Sequence, residues 1–328
     1  VFGETDAFVN IELPEGAPQV ISIGGARLDL RAVVAEMFEK SEGGAEADEP
    51  MHLIVSEQSP VGEIRLGEET SLLGAHGTMF SDGNGWNDVE LRGRLSNGGR
   101  IFLRVAPSEG ARDLTFETDD AGGALAALDL VDTIRGGEMR VIGIMTGSGD
   151  AEVITGQLDM QNFLLTEWPV GAQILALTSF SGIADVLGGE GLTFRRVELP
   201  FTLTDREITI TEAKARGANI GVLATGRIDR ETDEIQMTGE IAPAYTLNSL
   251  LANIPLIGTV LSGGADGLFA ATFDVQGPID DPDVSVNPLS VLTPGIIRRL
   301  LSGFGSEDET LPADGGEVKL PAPPEEGE

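Results

Sequence analysis

The chain contains no cysteine. Disulfides and thiolate metal sites are therefore excluded, and the redox compartment is left undetermined. Histidine is nearly as scarce, with only His52 and His76, and no histidine pair has metal-ligand spacing. Aromatic residues make up 5% of the chain, and Lys40, Lys214 and Lys319 are its only lysines. None of the three follows a glycine, so there is no phosphate-cradling Walker loop. Gly-x-Ser-x-Gly is absent, and Gly147-Ser148-Gly149 is not completed to Gly-x-Gly-x-x-Gly. No uninterrupted apolar run reaches the roughly 18–20 residues a bilayer-spanning helix needs. The chain opens at Val1 without a basic leader, and the expectation is a fragment whose anchor lies upstream.

Acid and glycine are abundant. Fifty-four Asp and Glu against 21 Lys and Arg give a net charge of −33, which would repel nucleic acid. Forty-four glycines in a chain of alternating patterns imply many tight turns and bulges. With 41% hydrophobic residues in 328, there is material for a sizeable core in one or two domains.

Period-two alternation predicts strands at 2–13, 20–23, 51–56, 63–66, 77–81, 88–95, 99–105 and 113–117. Asp82-Gly83, Asn84-Gly85 and Asn97-Gly98-Gly99 supply hairpin-turn chemistry between them. The pattern continues at 138–146, 153–164, 192–203, 207–217, 220–229, 234–242, 267–277 and 284–286. Helical spacing intervenes at 27–40, with Asp29 as N-cap, and at 124–134, capped by Asp120 and ended by Gly136-Gly137. Three further segments, 170–187, 247–261 and 289–304, are apolar and too short to cross a bilayer. Strands followed by an apolar helix and Gly-Gly recur loosely, at no fixed period. Beyond Gly305 the composition is acidic and proline-rich, and disorder is expected.

Residues suited to chemistry are few. His52 falls in an alternating run and His76 beside a turn, so both read as strand histidines. Asp82-Gly83-Asn84-Gly85 begins like a calcium loop, but Trp86 takes the fifth position and no glutamate stands at the twelfth. Asp280, Asp281 and Asp283 flank Pro282 as a proline turn would, and capping accounts for one of Asp119-Asp120. No catalytic residue, metal site or cofactor is expected, and the chain is read as a non-enzyme. In the last helical segment Ile296, Ile297, Leu300, Leu301 and Phe304 form an apolar side beside Arg298-Arg299. A basic, apolar-faced helix suits an anionic membrane surface.

The C-terminal half carries a resemblance. Leu192-Thr193-Phe194, Val197-Glu198-Leu199-Pro200-Phe201, Gly226-Arg227-Ile228-Asp229 and Pro243-Ala244-Tyr245-Thr246-Leu247-Asn248 lead into Ile254-Pro255-Leu256-Ile257-Gly258. Gly267-Leu268-Phe269-Ala270-Ala271-Thr272-Phe273, Gly277-Pro278-Ile279-Asp280-Asp281-Pro282 and Val286-Asn287-Pro288-Leu289 follow. This series resembles the C-terminal region of the AsmA-like family, in its YhdP-type branch, over about residues 119–304. The resemblance implies a mainly β protein with an elongated, curved antiparallel sheet forming an apolar groove, and short amphipathic or apolar helices toward the C-terminus. It divides the chain into a β-rich groove segment (1–118), the family-like region (119–304) and a tail (305–328).

It further implies an inner-membrane-anchored periplasmic protein of a Gram-negative bacterium, monomeric as part of a longer chain, that conducts or binds phospholipid. Its partners would be phospholipid acyl chains, the inner leaflet of the outer membrane and envelope proteins. Val222, Ala224, Ala270 and Thr272 are small or β-branched and are the expected lining of the groove. Leu256, Ile257, Ile296, Ile297, Arg298, Arg299, Leu300, Leu301 and Phe304 are the expected membrane contacts. The alternative is an envelope assembly factor that binds proteins through exposed sheet edges.

Overall fold

The structure is a computed structural model that describes residues 5–31, 50–66, 71–83, 85–128, 130–177, 191–243 and 269–291. The described protein is mainly β, with sixteen strands and two short α-helices among these residues. It divides into two compact units, Val1–Phe163 with Thr202–Arg206, and Leu164–Phe201 with Glu207–Glu328. The change of pattern near residue 118 is not a break in the ladder, because the strands on either side of it pair directly.

The first unit carries β1 (Asp6–Glu12), β2 (Gln19–Asp29), β3 (Met51–Val55), β4 (Val61–Arg65), β5 (Ser71–Ser81), β6 (Trp86–Leu95), β7 (Arg100–Ser108), β8 (Ala111–Thr118), α1 (Ala121–Ala127), β9 (Ile134–Thr146) and β10 (Val153–Leu165). Its strand order is β1-β2-β3-β5-β6-β7-β8-β9-β10. From β5 to β8 successive strands pair antiparallel through short turns, as the alternation predicted, and β9 pairs antiparallel with β8 after the helical connection through α1.

β2 departs from the meander. Its first half pairs parallel with β3 and its second half parallel with β4, so β3 and β4 lie in line between β2 and β5. A parallel pair needs a crossover of a dozen or more residues, which the connection through residues 30–50 provides. Val55, Val61, Ile64, Leu72 and Ala75 form a buried cluster here, with Leu28, Leu30 and Leu91 packed on it. Opposite the cluster, Glu63 accepts hydrogen bonds from Ser71 Oγ (2.9 Å) and Arg27 Nε (2.9 Å).

The helix expected over 124–134 is shorter than its pattern suggested and starts earlier. Arg27–Asp29 continue β2 and do not open a helix, and the Asp29 carboxylate accepts from the backbone N–H of Arg31 at 3.2 Å. The rest of the predicted 27–40 helix lies outside the described residues. Asp120 caps α1 by accepting from Gly123 N at 3.1 Å. However, α1 ends at Ala127, and Gly136-Gly137 lie inside β9 and not at a helix end. Both have positive φ, and a methyl at Gly137 would sit 2.8 Å from Phe163 Cβ and 2.9 Å from the Gln161 carbonyl. Asn162 on β10 also has positive φ. The Gly-Gly signal marked a left-handed stretch inside a strand and not a helix end.

The second unit carries α2 (Pro169–Leu177), β11 (Leu192–Leu203), β12 (Glu207–Gly217), β13 (Ile220–Asp229), β14 (Glu234–Pro243), β15 (Phe269–Pro278) and β16 (Asp283–Val291), with the strands in sequence order. Pro169 opens α2, where a missing N–H costs nothing. Ile174 and Leu175 are fully buried, and α2 packs against β16. The expected helical segment 170–187 is described only to Leu177. Of the expected helical segment 289–304, residues 289–291 belong to β16, and the rest, like segment 247–261 and the acidic tail, lies outside the described residues. Between β13 and β14 the Asp229 carboxylate accepts from Glu231 N (2.8 Å) and Thr232 N (3.0 Å). Those two N–H groups hold its pKa below the usual carboxylate range.

Two predictions arise from this unit-by-unit packing. Gly137→Ala combines a left-handed backbone with the contacts to Phe163 and Gln161, and should destabilise the protein by ~1–3 kcal/mol in urea unfolding. The hydrogen bond from Ser71, then that from Arg27, hold the Glu63 carboxyl below its ordinary range. Its stabilising contribution is therefore complete above pH about 4.3 and is lost as pH falls through the depressed folded value. Glu63→Gln should lower Tm at pH 7, and the gap to wild type should close as the pH falls through the depressed folded value.

Candidate functional site

Because side chains alternate across a strand, register assigns each residue to a face. In the first unit it draws two apolar rows on one face. One runs Ile11, Ile21, Leu53, Met79, Val89, Val105, Leu114 across β1, β2, β3, β5, β6, β7 and β8. The other runs Val9, Ile23, Val55, Gly77, Leu91, Leu103, Phe116 and on to Val141 of β9. Val55, Val89 and Val105 are buried, whereas Leu53, Met79, Leu91, Leu103, Leu114, Phe116 and Val141 are only half-buried. At the β1 end Val9 and Ile11 are 57% and 56% exposed. A second layer that fully covered this face would bury all of them.

The opposite face of β6–β9 is ionic. Glu90 lies 3.0 Å from both Arg92 and Arg104, and Glu117 lies 3.2 Å from Arg140. The Arg92 guanidinium stands 5.0 Å over the Phe102 ring. The exposed Glu90 pairs contribute about 0.2–1 kcal/mol each, so they mark the solvent side more than they stabilise it. The two faces thus differ sharply in chemistry.

Strand ends are closed by other means. At one end α1, built of small residues, buries Ala121, Ala124 and Ala127 against β9. At the other, Arg112 of β8 donates to Trp86 O (3.0 Å), Gly147 O (2.9 Å) and Glu152 Oε2 (2.6 Å). Arg112 is 7% exposed.

In the second unit the register sets the expected lining residues Val222 and Ala224 on the opposite face from Thr272. Val222 and Ala224 pair with Ile241 and Gly239, which pair with Ala271 and Phe273. That face is apolar and buried, and the Phe273 ring lies over Gly239 where any side chain would collide. Thr272 pairs with Glu240 and so falls on the other face; the side chain of Ala270 lies outside the described residues. A depression of about 280 Å³ is lined by Thr272 together with Glu212, Thr225, Thr238, Glu240 and Asp274, and Ala224 also borders it. Three carboxylates make it unsuited to an acyl chain, which would strip them of water. The expected membrane-contact residues, Leu256, Ile257, Ile296, Ile297, Arg298, Arg299, Leu300, Leu301 and Phe304, all lie outside the described residues.

The residues weighed for chemistry have structural employment. His52 packs edge-on against Phe80 at 6.2 Å between ring centroids, and His76 Nδ1 lies 3.0 Å from Gly74 O. Asp119 accepts from the backbone N–H and Nε of Arg100, and its neighbour Asp120 caps α1. Asp281 N donates to Pro278 O in the expected turn. Among the described residues no group of three or more His, Asp or Glu could hold a metal ion. No helix there is long and apolar enough to cross a membrane.

Burial at Val222 makes a charge there expensive. Val222→Asp should destabilise the protein by more than ~3 kcal/mol, whereas Thr238→Asp on the exposed face should cost under ~1 kcal/mol in the same denaturation assay. Comparison with family models, curated proteins and solved structures finds no match.

Proposed function

We propose that this chain is a non-catalytic, lipid-holding segment of a cell-envelope protein, and that the apolar face of its first unit is where acyl chains lie. The observation that carries this reading is the pair of apolar rows, continuous over seven and eight strands and half-exposed along most of their length. Acyl chains on that face would complete the second layer a one-sided sheet requires. At ~25 cal/mol per Å², covering a few hundred Å² of such surface stabilises a bound chain by several kcal/mol. The opposite ionic face and the net charge of −33 keep the outer surface hydrated. The likeness of residues 119–304 to the AsmA-like family supports phospholipid as the lipid, the periplasm as the place, and the segments around Leu256-Ile257 and Ile296–Phe304 as membrane contacts.

A second reading, a factor that binds other proteins through a sheet edge, draws on β1. Phe8, Val9, Ile11 and Leu13 are all exposed there, and β1 pairs only with β2 among the described strands. Such an edge is a template for a further strand.

Mass spectrometry of organic extracts from the purified protein distinguishes the two. Phospholipid should co-purify with the wild type and fall at least fivefold in the Leu91→Asp/Leu103→Asp variant, whose residues pair across β6 and β7. Thr115→Asp, on the ionic face, should leave it unchanged. Lipid-free wild type, or equal lipid in all three, would overturn the lipid reading in favour of the edge.

A further inference from the structure

We infer that Arg112 is an anion-binding group at the end of the apolar face, placed to take the phosphate of an amphiphile whose chains lie along the two rows. The inference rests on the lipid reading above and adds the chemistry of the headgroup.

Register puts Arg112 on the apolar face. It pairs with Pro107 and Met145, and stands two residues from Leu114, about 7 Å along the strand. Within the paired stretches Val89–Gly93, Ile101–Pro107, Arg112–Thr118 and Met139–Met145, no other residue on that face is charged. A lone cation bordering an apolar surface, in a chain with 54 acidic residues, is the complement of an anionic amphiphile.

The arginine is also pre-oriented. The carbonyls of Trp86 and Gly147 each accept from one of its terminal nitrogens, which fixes the plane of the guanidinium. Its counterion is Glu152, immediately after the 3₁₀ turn Gly149–Ala151. The Glu152 side chain is 29% exposed against 8% for Arg112, so the carboxylate approaches from the solvent side of a buried cation. A phosphate monoanion offers the same charge and an acceptor oxygen for the hydrogen bond that Arg112 Nη2 gives to Glu152. It can replace Glu152 without leaving the buried cation unpaired, which is the costly outcome.

Binding to the full 328-residue chain should be measured by displacement of a fluorescent fatty-acid analogue, using didecanoyl phosphatidate, didecanoylglycerol and inorganic phosphate as competitors. Phosphatidate should bind wild type at least tenfold more tightly than didecanoylglycerol. Arg112→Gln should erase that difference while leaving didecanoylglycerol unchanged, and Glu152→Gln should tighten phosphatidate several-fold. The Arg112→Gln/Glu152→Gln double variant, with no buried charge left unpaired, serves if the single variant does not fold. Equal binding of the two lipids to wild type overturns the role of Arg112 but leaves the apolar face intact. Failure of both lipids to displace the analogue overturns the lipid reading itself. Displacement by millimolar inorganic phosphate as effective as by phosphatidate overturns the headgroup assignment in favour of free phosphate.

Discussion

Cross-strand register is the constraint on which everything else in this protein rests. Backbone hydrogen bonds align each strand with its neighbour, and the two-residue period of the pleat then sends alternate side chains to opposite faces. Within the first unit this turns eight separate alternating segments into two continuous apolar rows. A slip of one residue between β6 and β7 would put Arg104 in the row and Leu103 among the ions. The pairs Glu90–Arg104 and Glu117–Arg140 therefore act chiefly to discriminate between registers.

A sheet with one apolar face requires a second layer, and the two units differ in how that requirement is met. Around Ile241, Ala271 and Phe273 the apolar side is buried completely. Along Leu91, Leu103, Leu114 and Phe116 it is buried by half. That difference is what moves the functional weight from the second unit, where small and β-branched residues drew attention, to the first. It also gives Arg112 a context, because a buried cation at the limit of an incompletely covered apolar surface differs from one in a closed core.

Much of the fold was legible in the residues. The β11, β12 and β13 boundaries follow the alternation to the residue, because their turns at Thr204–Arg206 and Ala218–Asn219 are short and polar. Asp120 read correctly as a cap because its signal is local, an acceptor three residues before an unsatisfied N–H. Gly136-Gly137 was misread because glycine both ends helices and permits a left-handed stretch inside a strand, and only the partner residues Gln161 and Phe163 decide between them. The parallel placement of β3 and β4 beside β2 was illegible for a similar reason. Alternation reports which faces a strand has, and carries nothing about the direction of its neighbour.

By itself the sequence determined the mainly β class, the absence of cysteine chemistry, the acidic exterior and nearly every strand position, since these depend on composition and on period-two order within single segments. Only the tertiary structure decided that Val222 and Ala224 lie on the opposite face from Thr272, that the half-covered apolar rows belong to the first unit, and that Arg112 stands on their face. Those outcomes depend on pairings between strands, and a one-residue change in pairing inverts a face while leaving every local pattern intact.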